Sequence, residues 1–461
     1  MPSTLQFLGG TGTVTGSKFL VRDGPTSLLV DAGLFQGLRD LRRRNWEPFP
    51  VPPEDLDAVA LTHAHLDHCG YLPALGRQGL ACPVYATAAT AALAALVLRD
   101  SAALQEEDAA YAARAGFSRH AQPTPLYDRA DVERVLPLLE PVGTGVALPV
   151  GREQATSVQV TFHPAGHILG STFVTVAVDG RVAAVSGDLG RGTHPLLQPP
   201  DRLPACDVVL VESTYGDRDH PPDADTALAA VLRRCLERGG VAVIPAFAVD
   251  RTEVVLMALR RLMQAGAVPS VPVFVDSPMA LGALAIYRQA LVQGSPGLRP
   301  DVGYDAFDPG DLREVHDADG SRQLNDPGFA CVVVSASGMA AGGRVVHHLK
   351  HLLPDPRNAV VLVGFQAAGT RGRALAEGAR ELKMHGRYVP VRAEVASVDG
   401  FSVHADADEL VAWLATAPRP PEVVYLVHGE PAASQALASR IRAQLGWAAV
   451  VPRDGEIVRL D

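Results

Sequence analysis

Short apolar or β-branched runs occupy residues 5–8, 17–21, 27–30 and 58–62, separated by Gly9-Gly10, Asp23-Gly24 and Pro52-Pro53. Runs of that kind between turn formers predict strands joined by tight turns. The period then changes. A helix is expected after His68, another over 86–98, and a third over 102–115, where Ala and Glu dominate and breakers are few. Strands resume at 157–162, 171–178 and 182–186, with a hairpin turn at Asp179-Gly180. Sheets followed by helices that pack on them make a layered α/β arrangement.

Beyond a strand at 207–211 the order becomes regular. Helix 226–238, strand 241–244, helix 252–265 and strand 271–275 follow, then strand 331–335 ahead of a helix, and a buried strand at 359–363. Strands alternating with helices predict parallel βαβ units in a separate domain of about 160 residues. Strand-rich character returns from about Arg392. The chain is therefore expected to leave one domain (1–217 and 379–461), build a second (218–378), and come back.

Length agrees, since 461 residues exceed the usual single core. The hydrophobic share of 47% and charged share of 20% supply two cores and argue against extensive disorder. No basic flank with an apolar stretch opens the chain, and no apolar run reaches bilayer length. A soluble cytoplasmic protein with no membrane partner is the expectation. Five scattered cysteines without a C-x-x-C pair suit reduced thiols packed as small hydrophobes. A net charge of −10 excludes a general polyanion-binding coat, yet leaves room for a local pair of cations that meets a phosphate.

Candidate chemistry concentrates at Leu61-Thr62-His63-Ala64-His65-Leu66-Asp67-His68, where an apolar strand ends. His63 and His65 are two apart, so in an extended segment their rings share a face. Asp67 and His68 are adjacent and diverge at a helix start. One segment can thus feed two metal ions, and imidazoles with carboxylates suit zinc.

This His-x-His-x-Asp-His motif resembles that of the metallo-β-lactamase fold, a four-layer αββα sandwich with metals at one edge. The resemblance implies that His167, in Pro164-Ala165-Gly166-His167, is a ligand of the first metal, and that Asp188, in Ser186-Gly187-Asp188, bridges both. It makes Asp31 the early aspartate that supports the ligand loop. Val211-Glu212-Ser213-Thr214-Tyr215-Gly216 resembles the first motif of the β-CASP nucleases, whose α/β domain is inserted in the metallo-β-lactamase domain. Phe401-Ser402-Val403-His404-Ala405-Asp406 is similar to their second motif and Val427-His428-Gly429-Glu430 to their third. Ser335-Ala336-Ser337-Gly338-Met339 and the stretch 364–370 resemble further β-CASP signatures.

The resemblance implies a zinc-dependent ribonuclease with two Zn2+ per chain, cutting single-stranded RNA to 5′-phosphate and 3′-hydroxyl ends. Its nucleophile would be a hydroxide activated by two metals and held in line by Asp67. His404 would protonate the leaving oxygen, with Glu212 fixing its tautomer. His428 would complete the second metal's shell, and histidine there accompanies RNA substrates in the family. Ser337, Gly338 and Met339, at a strand-to-helix junction, would cradle a phosphate, with Ser402 beside the second motif. Arg251, Arg371 and Arg373 are candidate phosphate partners, and the cleft between the domains would hold the strand. Arg42-Arg43-Arg44 reads as an exposed loop rather than a binding patch, and His347, His348 and His351 receive no role. The chain ends 33 residues after His428, which matches the short bacterial and archaeal homologues of the pre-mRNA 3′-end-processing endonuclease better than ribonuclease J. An endonuclease is therefore expected over an exonuclease, with a homodimer left open. The rivals are a hydrolase of small thioesters or lactams, and a non-catalytic RNA-binding scaffold.

Overall fold

The computed structural model describes residues 2–115, 122–151, 158–221 and 223–460, and the chain divides into two compact units. Residues 1–219 and 404–461 make the first, and residues 220–403 the second.

Two seven-stranded sheets build the first unit. One runs in the order Ile457–Arg459, Thr4–Phe7, Phe19–Asp23, Thr26–Val30, Ala58–Ala60, Val84–Ala86, Leu139–Pro141. The other runs Ala449–Val450, Val423–Val427, Val208–Glu212, Arg181–Val185, Thr172–Val178, Val158–Pro164, Ala147–Val150. Phe7, Val30 and Ala60 of the first sheet share one core with Val160, Val174, Leu210 and Val427 of the second. On the second sheet's other face, Leu410, Trp413, Leu437 and Ile441 from two helices cover Phe173, Val209 and Val424. Helix Ala88–Ala115 lies against strand Leu139–Pro141 of the first sheet and completes a four-layer αββα sandwich.

Strands bend to these layers as their patterns require. Val158–Pro164 alternates, with Val158, Val160 and Phe162 inward, while Val208–Glu212 is buried throughout because both its faces are covered. Asp179 and Gly180 both take left-handed backbone at the expected hairpin. Residue 157 of the strand expected over 157–162 lies outside the described residues. The two helices expected over 86–98 and 102–115 are one helix, Ala88–Ala115. Ser101 between them caps nothing, its hydroxyl being 2.7 Å from the Tyr127 hydroxyl.

The second unit is a six-stranded parallel sheet, in the order Leu312–Glu314, Val273–Val275, Cys331–Ser335, Val241–Pro245, Ala359–Leu362, Glu394–Ser397. Its central strands are buried end to end because helices lie on both faces. Strand Glu394–Ser397 pairs with Ala359–Leu362, so the unit extends to Val403 rather than stopping at residue 378. No helix among the described residues is long and apolar enough to cross a membrane.

Candidate metal centre

Strand Ala58–Ala60 delivers the ligand segment. Thr62 and His63 follow in a buried turn, His65 precedes the short helix Leu66–Cys69, and Asp67 and His68 lie in that helix. Helix Leu72–Arg77 follows, as expected after His68, and His68 itself already lies in the short helix before it. Asp31 stands at the end of strand Thr26–Val30 in left-handed backbone (φ 59°), which aspartate tolerates better than most residues. It accepts hydrogen bonds from the Thr62 amide (2.8 Å) and hydroxyl (2.9 Å), and its Oδ2 is 2.7 Å from His68 Nδ1.

Those bonds fix two tautomers. Thr62 spends its one proton on Asp31, so it accepts from His63 Nδ1 at 3.0 Å and leaves Nε2 with the lone pair. Asp31 likewise takes the His68 Nδ1 proton. Sequence reasoning singled out Asp31 but missed Thr62, although it adjoins His63.

The remaining ligands come from afar. His167 sits in the turn between strands Val158–Pro164 and Thr172–Val178, its amide held by Ser171 Oγ at 2.9 Å. Asp188 follows Gly187, whose φ of +53° and approach to Thr62 exclude a side chain: a Cβ there would lie 2.7 Å from Thr62. His428 ends strand Val423–Val427 in left-handed backbone, with its amide on the Gly10 carbonyl at 2.5 Å.

Two donor sets result. His63, His65, His167 and Asp188 form one and Asp67, His68 and His428 the other, the donor atoms of each lying within 4.8 Å of one another. Asp188 divides its oxygens between them. Oδ2 is 3.3 Å from His63 Nε2 and 3.5 Å from His167 Nε2, while Oδ1 is 3.1 Å from His68 Nε2 and 3.5 Å from His428 Nε2.

The chemistry of these sets fits metal cations. His68 Nε2 and Asp188 Oδ1 are buried and make no hydrogen bond among the described residues. Burial, reinforced by neighbouring imidazoles, holds His63 and His167 well below the usual histidine range, in the neutral form that ligates. Burial likewise lowers His428 to about 4. For His68 burial acts downward, but Asp188 and Asp31 outweigh it and hold the ring well above that range, a proton standing where a cation would lie. Asp31, Asp67, Asp188 and Glu212 have only histidines as ion-pair partners among the described residues. So many confined carboxylates call for added positive charge.

Beside this cluster, Glu212 ends strand Val208–Glu212 fully buried and accepts the Leu189 amide at 2.7 Å. His404 Nδ1 lies 3.2 Å from both Glu212 oxygens and 3.9 Å from Asp188 Oδ2. His404 pairs through its backbone with Gly190, two residues past Asp188. The structure thus brings together all seven expected ligands, with Asp31, Glu212 and His404, within the first unit.

The expected RNA-contacting residues belong to the second unit and require corrections. Arg251 is 4% exposed, and its Nη1 donates to the Val363 and Phe401 carbonyls. It is a buried brace, not a surface phosphate partner. Ser337, Gly338 and Met339 follow strand Cys331–Ser335, but the next helix starts only at Arg344, after Ala340 and Gly343 in left-handed backbone. They form a loop in which Ser337 Oγ accepts the Ala341 amide at 3.0 Å and the Gly338 carbonyl accepts Gln366 Nε2 at 3.1 Å. Ser402 is buried with no hydrogen-bond partner for its hydroxyl among the described residues. Arg371 gives Nη1 to the Ala341 carbonyl, and Arg373 pairs with Glu377.

The fold and the paired donor sets define a metallo-β-lactamase-superfamily hydrolase, whose family description matches residues 12–237. The Beta-Casp domain matches residues 252–375, and the Zn-dependent metallo-hydrolase RNA specificity domain residues 388–452. The chain belongs to the β-CASP family of metal-dependent ribonucleases. It is 38% identical over 452 residues to Ribonuclease TTHA0252 of Thermus thermophilus, covering 97% of this chain and 98% of that one. It is 30% identical to Transcription termination factor FttA of Methanocaldococcus jannaschii, over 99% of this chain and 71% of that protein. An RNase J-like protein of the same organism is 30% identical, over 98% and 99% of the two chains. A crystal structure of a protein of unknown function from Enterococcus faecalis V583 shares the fold, at a TM-score of 0.52 and 15% identity over the whole of both chains.

Proposed function

We propose that this protein is a zinc-dependent endoribonuclease that holds two ions and cuts single-stranded RNA, leaving 5′-phosphate and 3′-hydroxyl ends. His63, His65, His167 and one Asp188 oxygen would hold one ion, and Asp67, His68, His428 and the other Asp188 oxygen the second. Such a pair supplies Lewis acidity to phosphoryl oxygens and lowers the pKa of water at the site.

The chain's own groups do the rest. Asp67, whose side chain is 21% exposed, can orient the attacking water by accepting its hydrogen bond. As the bond from phosphorus to the 3′-oxygen breaks, that oxygen needs a proton. His404 keeps Nδ1–H on Glu212 and presents Nε2 as the donor; the buried carboxylate stabilises the charged ring before transfer. The observation that carries this reading is the His404–Glu212 pair lying 3.9 Å from Asp188. A lactamase or thioesterase of this fold has no call for that pair. The RNA-specificity description spans both His404 and His428, and relatives named ribonuclease support RNA over DNA.

The test uses end-labelled RNA and matched single-stranded DNA with zinc-loaded protein. Wild type should cut RNA alone, internally, and mapping should find 5′-phosphates. His404→Ala should lose about 10²- to 10⁴-fold in kcat with zinc content unchanged. Equal cutting of both nucleic acids would remove the RNA assignment, and undiminished cutting by the variant would remove the proton donor.

A further inference from the structure

The helix Arg39–Arg44 buries none of its residues. The Trp46 amide donates to the Arg43 carbonyl, so the turn continues past the helix end. Arg39, Arg42, Arg43 and Trp46 therefore stand at i, i+3, i+4 and i+7, on one face. Trp46 is 58% exposed there, whereas Trp413 is buried.

The arginine triplet is split by its surroundings. Arg44 turns inward, with its guanidinium 4.0 Å from the Phe35 ring and Nη2 2.5 Å from Asp454. Arg39, Arg42 and Arg43 make no ion pair among the described residues, although acids outnumber bases in this chain by ten. Other arginines of the first unit, such as Arg99, Arg134, Arg181 and Arg440, sit against carboxylates. Asp40 and Glu47 are the acids of this stretch. Asp40 lies three residues before Arg43 and Glu47 four after it, yet neither forms an ion pair with Arg39, Arg42 or Arg43 among the described residues.

This face is fastened to the metal centre. Asn45 exchanges two hydrogen bonds with the Phe35 backbone, at 2.9 and 2.8 Å. The Leu34 amide donates to the Leu66 carbonyl at 2.8 Å, at the start of the helix that carries Asp67 and His68. On the other side Arg44 reaches the Leu8 carbonyl, two residues from the Gly10 carbonyl that holds His428.

We infer that this face is a subsite for the single-stranded RNA substrate, with Arg42 and Arg43 on successive phosphates and the Trp46 indole stacked on a base. It deepens the nuclease reading and rests on it. Guanidinium groups with no carboxylate partner supply local positive charge on an acidic chain, and an exposed indole offers any base a stacking face. The subsite lies on the side of Asp67, His68 and His428, so it takes nucleotides flanking the scissile bond rather than the bond itself.

Steady-state cleavage of a labelled single-stranded RNA over a range of salt tests the assignment, with tryptophan fluorescence recorded on mixing. Trp46→Ala should raise KM about tenfold, as expected for loss of one base stack, with Trp46→Phe intermediate. RNA should quench the wild-type fluorescence, and Trp46→Phe should lose that quench. Arg42→Gln with Arg43→Gln should lower the slope of log(kcat/KM) against log[salt] by about 1.4, the effect of two phosphates on a single strand. These side chains are exposed, so the melting temperatures should match wild type. Wild-type KM and salt slope in all the variants, with RNA still cut, would overturn the subsite alone. So would a change confined to self-association. Absence of RNA cleavage by wild type would remove the nuclease reading, and this one with it.

Discussion

Ser17 joins the segments that supply one half of the metal cluster. Its amide donates to the Asp67 carbonyl and its carbonyl accepts the Gly33 amide, both at 2.9 Å, while its hydroxyl lies 2.7 Å from His428 Nδ1. A hydroxyl that accepts from Nδ1–H turns the His428 Nε2 lone pair toward the cluster. Gly33 permits the approach, since a Cβ there would meet the Asp67 carbonyl oxygen at 1.7 Å. Ser17→Ala is expected to weaken zinc at the Asp67, His68 and His428 set by about 10- to 100-fold and to spare the other set. Zinc titration against a competing chelator reads the two affinities; equal loss at both, or none, contradicts the role. Nothing local marked Ser17. It lies in a loop of glycine and threonine, and its partner is 411 positions away. His63, His65, Asp67 and His68 were legible because their spacing is itself the geometry.

Elements were read best where one period ran unbroken, as in the strands at 241–245, 331–335 and 359–362. Helix Pro278–Gln293 had no counterpart among the expectations, although Ser277 caps it and Pro278 occupies its first position. Its apolar residues run round more than one face, so no helical stripe stood out. The junction after Ser335 misled for another reason: Asp276, not a helix start, organises that end of the sheet. It accepts from Ser321 Oγ (2.5 Å) and Arg344 Nη1 (2.6 Å), and its Oδ2 is 2.6 Å from His348 Nε2. Burial pushes its carboxyl up, but these three partners outweigh that and keep it below the usual range. Asp276→Ala strands a buried histidine and should cost about 3 to 5 kcal/mol of second-unit stability, with zinc content unchanged. A denaturant melt showing a loss below about 1 kcal/mol, the range of an exposed pair, would rule out a shared anchor.

At the scale of the whole molecule, all seven ligands fall in one of two units that each have their own core. Calorimetry should therefore resolve two transitions, of which chelation lowers only one. At zinc a hundredfold above its dissociation constant, the loss amounts to about 2.7 kcal/mol per site. A single transition shifting as a body would falsify that independence. The sequence by itself determined which residue types could ligate, their local spacing, and the alternation that separates a layered sandwich from a parallel sheet. These follow from backbone period and near neighbours. Tertiary structure alone decided that residues 31, 63–68, 167, 188 and 428 converge, that Arg251 is a buried brace, and that Arg44 meets a carboxylate while Arg42 and Arg43 form no ion pair among the described residues. Burial and pairing are set by segments far apart in the chain, and such contacts leave no periodic trace in the residues that make them.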